Sequence, residues 1–240
     1  MKVKISKQLK TAKTEKSTHL DYFKIALSVD CVIFGFEKKE LKVLLIKCDL
    51  KEFKNKWSLL GNLVKPDEDL EKAPYRILKQ RTGLDDVFLQ QVESFGGLNR
   101  HPSGRVITTA YYSLINIKDH QLKSTDNEVH WHSVADIKEL AFDHNKIFDS
   151  CLKKLRQQVI NEPIVFNLLP KSFSLRDLQN LYESILGVKL DRRNFRKKLS
   201  QKNWLEALNE IEKNVPHRPG MLYKLKSSLI RKQSNTSLNF

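Results

Sequence analysis

A basic stretch near the C-terminal end combines residue types that bind nucleic acid. It follows Asp191 and contains three arginines, two lysines and an asparagine: Arg192, Arg193, Asn194, Arg196, Lys197 and Lys198. Arginine and lysine bind phosphates and guanine, and the asparagine amide matches the edge of adenine. Phe195 and Leu199 lie four residues apart, which places both on one buried face of a helix ending near Gln201. We predict that this helix contacts DNA; the alternative is a solvated basic surface.

A second predicted helix precedes the basic one and would hold it in place. Ser174 can cap its first turn together with Asp177, and Gly187 can end it. Two helices joined by a short turn form a helix-turn-helix, whose second helix enters the major groove. This pattern favours duplex DNA over RNA, because the deep, narrow major groove of an RNA duplex excludes a helix. RNA binding is the rival interpretation.

A wing is predicted after the basic helix. Residues 204–208 and 221–225 can form its two strands, and Arg218 lies in the charged loop between them. Arg218, Lys197 and Lys198 are predicted to bind phosphates, whereas the remaining basic residues and Asn194 are predicted to face the bases as well. The C-terminal part of the chain is thus a winged helix-turn-helix.

Positive charge is spread unevenly along the 240 residues. The chain carries +15 in total, with +5 in residues 1–24, +2 in residues 25–161 and +8 in residues 162–240. A local concentration of positive charge is typical of a polyanion-binding surface. We therefore expect double-stranded DNA as a partner, in the form of a palindromic operator, because a dimer presents two symmetric recognition helices.

Cysteine usage and hydropathy indicate the compartment. The three cysteines are widely spaced, and no pair has the spacing of a metal site or a redox motif. No apolar run is long enough for a signal peptide or a membrane span. The sequence predicts a soluble, cytoplasmic protein with no membrane partner.

Residues 62–84 have the spacing of a Nudix box without its metal ligands. The frame is present in Glu68, Arg76, Leu78, Gly83 and Leu84, whereas the opening glycine is Asn62, after Gly61. The three later glutamates are replaced by Ile77, Gln80 and Arg81. Those glutamates hold divalent cations through carboxylate oxygens, which an apolar, a neutral and a cationic side chain do not replace. We therefore predict no catalytic residue, no metal and no cofactor; a residual diphosphate hydrolase is the alternative.

From about residue 22 the chain resembles the Nudix-related transcriptional regulators, in which a non-hydrolytic Nudix domain precedes a winged helix. The resemblance is carried by the box frame and by residues 57–61, 105–106, 110–112, 166–170, 178–183 and 191–199. It implies a homodimeric repressor whose Nudix domain senses a metabolite. That metabolite is ADP-ribose-like in an NAD-metabolism branch and a pentose such as L-arabinose in a sugar-catabolism branch.

A pentose is the predicted effector, and ADP-ribose is the alternative. A diphosphate would favour a metal or several cations in its pocket, and the metal ligands are missing. A free sugar needs hydrogen bonds and an aromatic wall, which could come from Asp30, Lys47, Trp57, Asn62 and Arg100. For each of these a packing or surface role is the alternative. Asp30 lies among apolar residues, so its burial requires a cation or a ligand hydroxyl; Arg81 is one candidate partner. Effector binding is expected to release the operator.

The apolar pattern predicts the fold class and the domains. A β-hairpin over 25–46, further strands and the box helix make an α/β sandwich of the Nudix type, followed by the winged helix. A short helix is predicted at 136–140. The predicted segments are a basic arm (1–21), an effector-sensing domain (22–143), a linker helix (144–161), a DNA-binding domain (162–230) and a tail (231–240).

Overall fold

The computed structural model describes residues 24–229 apart from 86, 121, 123–128, 214 and 217. The predicted basic arm at 1–21 and the predicted tail at 231–240 lie outside the described residues. None of the described helices is long and apolar enough to cross a membrane.

The sheet begins with a hairpin of two strands, β1 (Ala26–Glu37) and β2 (Glu40–Lys47). Lys38 and Lys39 between them have φ of 51° and 66°. A two-residue turn with positive φ at both positions matches the twist of the flanking strands. The predicted hairpin is confirmed, and the buried run in the middle of β1 makes it a central strand.

Each half of β1 has a different antiparallel neighbour. β2 pairs with its second half, while residues 28–31 pair with a short strand that follows the hairpin. The strands that come next are β3 (Trp57–Ser58) and β4 (Leu60–Leu63), and it is β4 that borders the first half of β1. The first half of β1 is consequently separated from β2.

Three further strands complete the sheet: β5 (Gln90–Phe95), β6 (Val106–Ile115) and β7 (Val129–Ser133). β6 runs parallel to β1 along residues 26–35, β5 pairs with β6, and β7 pairs with β2. The order of the main path is β3-β2-β1-β6-β5. The mixed sheet that the sequence predicted is confirmed.

A helix packs on each face of the sheet. α1 (Ala73–Thr82) buries Ile77 and Leu78, and it ends at Gly83, whose φ is 72°. Its N-cap is Lys72, whose side chain makes no capping hydrogen bond. Pro74 lies in the first turn of α1. The helix cannot begin much earlier in the chain, because proline is tolerated in the first turn of a helix but not in its interior. α2 (His144–Asn161) covers the opposite face.

The C-terminal part forms a winged helix. Its elements are a 3-10 turn (Pro163–Leu168), β8 (Phe173–Ser174), α3 (Leu175–Leu186), α4 (Arg192–Lys202), β9 (Leu205–Ile211) and β10 (Met221–Leu225). The strands form a sheet of order β8-β10-β9. The predicted capping box of Ser174 with Asp177 is present, Gly187 ends α3, and the Asp191 side chain accepts from the Asn194 backbone N–H.

The two parts share one hydrophobic core. Ile147, Phe148 and Leu155 of α2 lie in the same buried cluster as Leu178 and Leu181 of α3. The hairpin also touches α3 directly, since the Leu41 backbone N–H donates to Ser184 Oγ at 2.6 Å. α2 has the bounds of the helix predicted at 144–161, and it packs against the sheet on one side and the winged helix on the other.

The predicted helix at 136–140 is wrong. A 3-10 turn covers Val134–Asp136, after which Leu140 forms a bridge with Trp57. The Ala141 backbone N–H then donates to the Trp57 carbonyl at 2.8 Å. These backbone bonds tie the segment to the sheet edge, and an extended chain satisfies them where a helix would not.

Candidate functional site

A cavity of about 530 Å³ lies beside the first half of β1. β1, the end of β2, the β3–β4 segment, the loop after residue 99 and the start of α2 enclose it. Its size falls in the range of small-molecule sites. Four of the predicted effector residues line it, namely Asp30, Lys47, Asn62 and Arg100. We call this cavity the cleft.

Trp57 is not among the residues that line the cleft. Its ring packs edge-on against His132 at 4.3 Å and His130 at 5.5 Å between centroids. The ammonium group of Lys47 lies 5.6 Å from the centre of the Trp57 ring. The structure thus places the Trp57 ring beside Lys47 and the histidines of β7, and the aromatic wall expected from it stays a prediction.

A buried ionic network forms the floor of the cleft. Arg100 donates from Nε and Nη2 to the two carboxylate oxygens of Asp143 at 3.1 and 2.8 Å, and from Nη2 to Asp30 at 3.4 Å. The side chains of Arg100, Asp30 and Asp143 are 4%, 7% and 16% exposed. A cation thus meets Asp30, as the sequence predicted. Its identity is Arg100; Arg81 pairs with Asp49 at 3.6 Å instead.

His144 completes the network as a neutral ring. Its Nδ1 accepts from the Leu59 backbone N–H at 3.0 Å, so Nε2 carries the proton and faces Asp30 Oδ1 at 3.5 Å. Burial lowers the pKa of His144, which favours this neutral form. Gly61 is required beside it, because a Cβ there would lie 2.0 Å from Asp30 Oδ1.

Sequence reasoning missed part of the cleft lining. Lys24 and Arg105 add two cations, and His101 and Phe142 add two rings. Arg105 donates to the backbone carbonyls of Gly96 and Gly97 at 2.5 and 3.0 Å, which closes the loop over the cleft. Arg100 was predicted for the site from the sequence, but only the fold shows that Arg105 of the same loop also lines the cleft.

Neither α1 nor the loop before it offers a magnesium site. Glu68 is held by Arg76 through two bonds of 2.6 and 2.7 Å, and hydrogen bonding to Arg76 lowers the Glu68 pKa to about 2. Ile77 is buried in the core, and Gln80 accepts from Arg76 at 3.3 Å. Among the described residues, no cluster of three or more acidic, histidine or cysteine side chains could hold a metal. This donor set does not fit Mg²⁺, which requires several oxygen ligands.

The second candidate surface is the outer face of α4. Leu199 is buried, and Phe195 is half-buried with its ring 5.3 Å from Tyr182 of α3. The six predicted DNA contacts on α4 are all exposed. At 3.6 residues per turn, Arg193 and Lys197 point furthest from the buried side, together with Gln201, which was not predicted. Arg218 is exposed in the loop between β9 and β10, where the sequence placed it.

Two family models match the chain. The model of the Nudix domain matches residues 24–151, and the model of the NrtR DNA-binding winged helix domain matches residues 165–225. Together they support the fold derived above, a Nudix domain followed by a winged helix.

Individual relatives agree with the family models. The chain is 32% identical over 224 residues to the "ADPR responsive transcriptional repressor NtrR" of Acinetobacter baylyi, covering 91% of this chain and 88% of that protein. It resembles the crystal structure of Shewanella oneidensis NrtR with a 27mer DNA, with a TM-score of 0.72, 29% identity, and coverage of 83% and 93%. It also resembles the Nudix domain of that NrtR with bound ADP-ribose, with a TM-score of 0.51, 26% identity, and coverage of 57% and 99%.

Proposed function

The chain belongs to the NrtR family of DNA-binding transcriptional repressors with a Nudix effector-binding domain, and we propose that its effector is ADP-ribose. In this proposal ADP-ribose occupies the cleft and lowers the affinity of α4 for operator DNA. The repressor acts on DNA in the cytoplasm, as a homodimer on a palindromic operator, because two recognition helices multiply affinity and specificity.

The positive charge of the cleft lining is the observation that favours ADP-ribose as the effector. Among the described residues, five cationic side chains and two carboxylates line it: the cations are Lys24, Lys47, Arg81, Arg100 and Arg105, and the acids are Asp30 and Asp49. A diphosphate without a bound metal needs several cations in its pocket, and this lining supplies them. A neutral pentose gains little from such a lining and would fill a small part of 530 Å³.

Both this charge and the relative with bound ADP-ribose support ADP-ribose over the pentose expected from the sequence. The missing metal ligands had favoured a neutral sugar over a diphosphate. The fold, however, brings basic residues to the cleft from distant segments of the chain.

We also propose that the cleft binds its ligand without hydrolysing it. Nudix hydrolysis depends on cations held by carboxylates. Here one carboxylate is bound to Arg76, one position is buried isoleucine, and Arg81 places a positive charge beside the cleft. A positive side chain can bind the diphosphate directly in place of a metal, which suits sensing.

Titration of the full chain tests the effector assignment. We expect ADP-ribose to bind in calorimetry and to release DNA from the region upstream of the protein's own gene, whereas L-arabinose does neither. Arg81→Gln should weaken ADP-ribose by about 1.5–3 kcal/mol, because a charged hydrogen bond is lost and Asp49 is left unpaired. Lys56→Met is the matched control, since Lys56 pairs with exposed Glu139 outside the cleft lining. Release by arabinose alone would contradict the assignment.

A further inference from the structure

The cleft and α2 are neighbours on one face of the sheet. Ala26, Ser28 and Asp30 of β1 line the cleft, while Val32 and Phe34, further along the same face, lie in the core under α2. The Phe34 ring lies 6.2 Å from Phe148 of α2. Asp30, which lines the cleft, and Val32, which packs in the core under α2, are therefore neighbours on this face of β1.

Arg100 spans this boundary. Its two bonds to Asp143 attach the loop that covers the cleft to the residue that precedes α2, and its third bond reaches Asp30 on β1. The Asp143 side chain makes no capping bond to α2. Its carboxylate is therefore committed to Arg100, and the pair fixes where α2 begins.

The connection into α2 is strained at Phe142, which also lines the cleft. Phe142 has φ of 55°, a strained conformation that a bulky side chain rarely adopts. Its ring is held between Phe53 at 4.4 Å and the parallel ring of His101 at 5.1 Å. Since His101 follows Arg100 directly, the same loop holds both Phe142 and Asp143 in place.

α2 contacts the DNA-binding domain beyond the shared core. Arg156 of α2 donates from Nε to the Ile185 carbonyl near the end of α3 at 2.8 Å. α3 in turn packs on α4 through Tyr182 and Phe195. A displacement at the start of α2 can thus reach the recognition helix through two direct helix contacts.

On the premise of the proposed function, we propose that the Arg100–Asp143 pair couples the cleft to DNA binding. Arg100 already shares its charge between two carboxylates, so an added diphosphate competes with Asp143 for the guanidinium. When Arg100 turns to the ligand, Asp143 loses its partner, the strained connection at Phe142 relaxes, and the first turn of α2 shifts. The two arrangements of α2 then differ in affinity for both ADP-ribose and operator, which is the requirement for allosteric coupling.

The variant Asp143→Asn tests this coupling, because it removes the charge and keeps a side chain of the same shape. In the wild type we expect ADP-ribose to weaken operator binding by roughly 5- to 150-fold. In Asp143→Asn, both ligands should still bind, but each should leave the affinity for the other nearly unchanged. Glu139→Gln is the matched control, since its ion pair with Lys56 is exposed, and it should keep the full wild-type coupling.

The outcomes separate the two proposals. If the wild type binds no ADP-ribose, the proposed function and this inference both fail. If the wild type couples the ligands and Asp143→Asn couples them equally, this inference alone fails. If Asp143→Asn does not fold, hydrogen exchange of the wild type, with and without ADP-ribose, tests the same mechanism. Amides in the first turns of α2 should exchange faster when ADP-ribose is bound, and unchanged exchange with the ligand bound would contradict the mechanism.

Discussion

The cleft and the recognition helix use arginine in opposite surroundings. In the cleft, the Arg100 side chain is 4% exposed and is held by two carboxylates. On α4, all of the predicted contact residues are exposed, and none of them makes an ion pair with a residue that the structure describes. The same chemical group is buried between carboxylates in one region and exposed to solvent in the other.

This difference separates two roles of positive charge. A buried guanidinium whose partners are fixed defines the geometry around it, because breaking one bond leaves a carboxylate without compensation. An exposed cation defines little of the fold, but it can displace the counterions of DNA at almost no cost to the protein. Substitutions in the cleft should therefore lower mainly the stability of the fold, whereas substitutions on α4 should lower mainly the affinity for DNA.

Arg100→Ala should have the largest effect on stability. It leaves the carboxylates of Asp30 and Asp143 near one another without their cation, so the free energy of unfolding should fall by about 3–5 kcal/mol. Arg193→Ala on α4 should change it by no more than about 0.5 kcal/mol. Urea denaturation of both variants measures the contrast.

Arg81→Ala is the control within the cleft. Its pair with Asp49 has side chains that are 39% and 60% exposed, so its loss should cost at most about 1 kcal/mol. If Arg100→Ala is no more destabilising than Arg81→Ala, the buried network does not fix the local structure, and the contrast between the two regions disappears.

DNA binding should show the reverse order. Arg193→Ala should weaken operator binding by about 1–3 kcal/mol and relax the preference for one base pair, because Arg193 is among the residues that point furthest from the buried side of α4. Lys198→Ala should weaken operator and random DNA alike and flatten the salt dependence by about one unit. Fluorescence anisotropy with both DNAs over a range of salt concentrations separates the two roles.

Equal losses of both variants on operator and random DNA would show that α4 binds through charge alone.

The winged helix could be predicted from the sequence in detail because its signals are local. Ser174 and Asp177 are three residues apart, and the predicted capping box forms; Asp191 and Asn194, also three apart, form a cap in the same way. Gly187 adopts the positive φ that ends α3. The face of α4 follows from the spacing of Phe195 and Leu199, so no distant contact had to be guessed.

The cleft could be predicted only in part because its contacts are distant in sequence. Burial alone showed that Asp30 needs a partner, but the partner is 70 residues away. Trp57 is turned to the histidines of β7 by the pairing of β3 with β2, which residue type does not reveal. Lys24 and Arg105 are far apart in the sequence, so the charge that favours a diphosphate over a pentose was not apparent.

The ion pair of Glu68 with Arg76 should make a smaller, pH-dependent contribution. Hydrogen bonding to Arg76 lowers the Glu68 pKa from 4.5 to about 2. A carboxylate with a depressed pKa stabilises the folded state above its unfolded pKa, and this stabilisation is lost as the pH falls from about 4.5 towards 2. The pair also joins α1 to β4, because Arg76 donates to the Leu63 carbonyl.

Glu68→Gln measures that contribution. The stability difference between wild type and variant should be at most about 1 kcal/mol near neutral pH and should vanish at the acid end of this range. A difference that stays constant across the range would contradict the assigned pKa direction. Urea midpoints of the two proteins at matched pH values provide the measurement, and the other carboxylates cancel in the difference.

The smallest expected effect is that of Mg²⁺ on ADP-ribose in the cleft. Because Ile77 is buried, Glu68 is bound to Arg76 and Arg81 carries a positive charge, we expect no product above background with or without the metal. Glu68→Gln should behave as the wild type does. Chromatography of the nucleotide after long incubation is the measurement. Magnesium-dependent release of AMP that Glu68→Gln abolishes would mean that the committed pair at Glu68 opens to hold a metal, and the cleft would then be an enzyme site as well as a sensor.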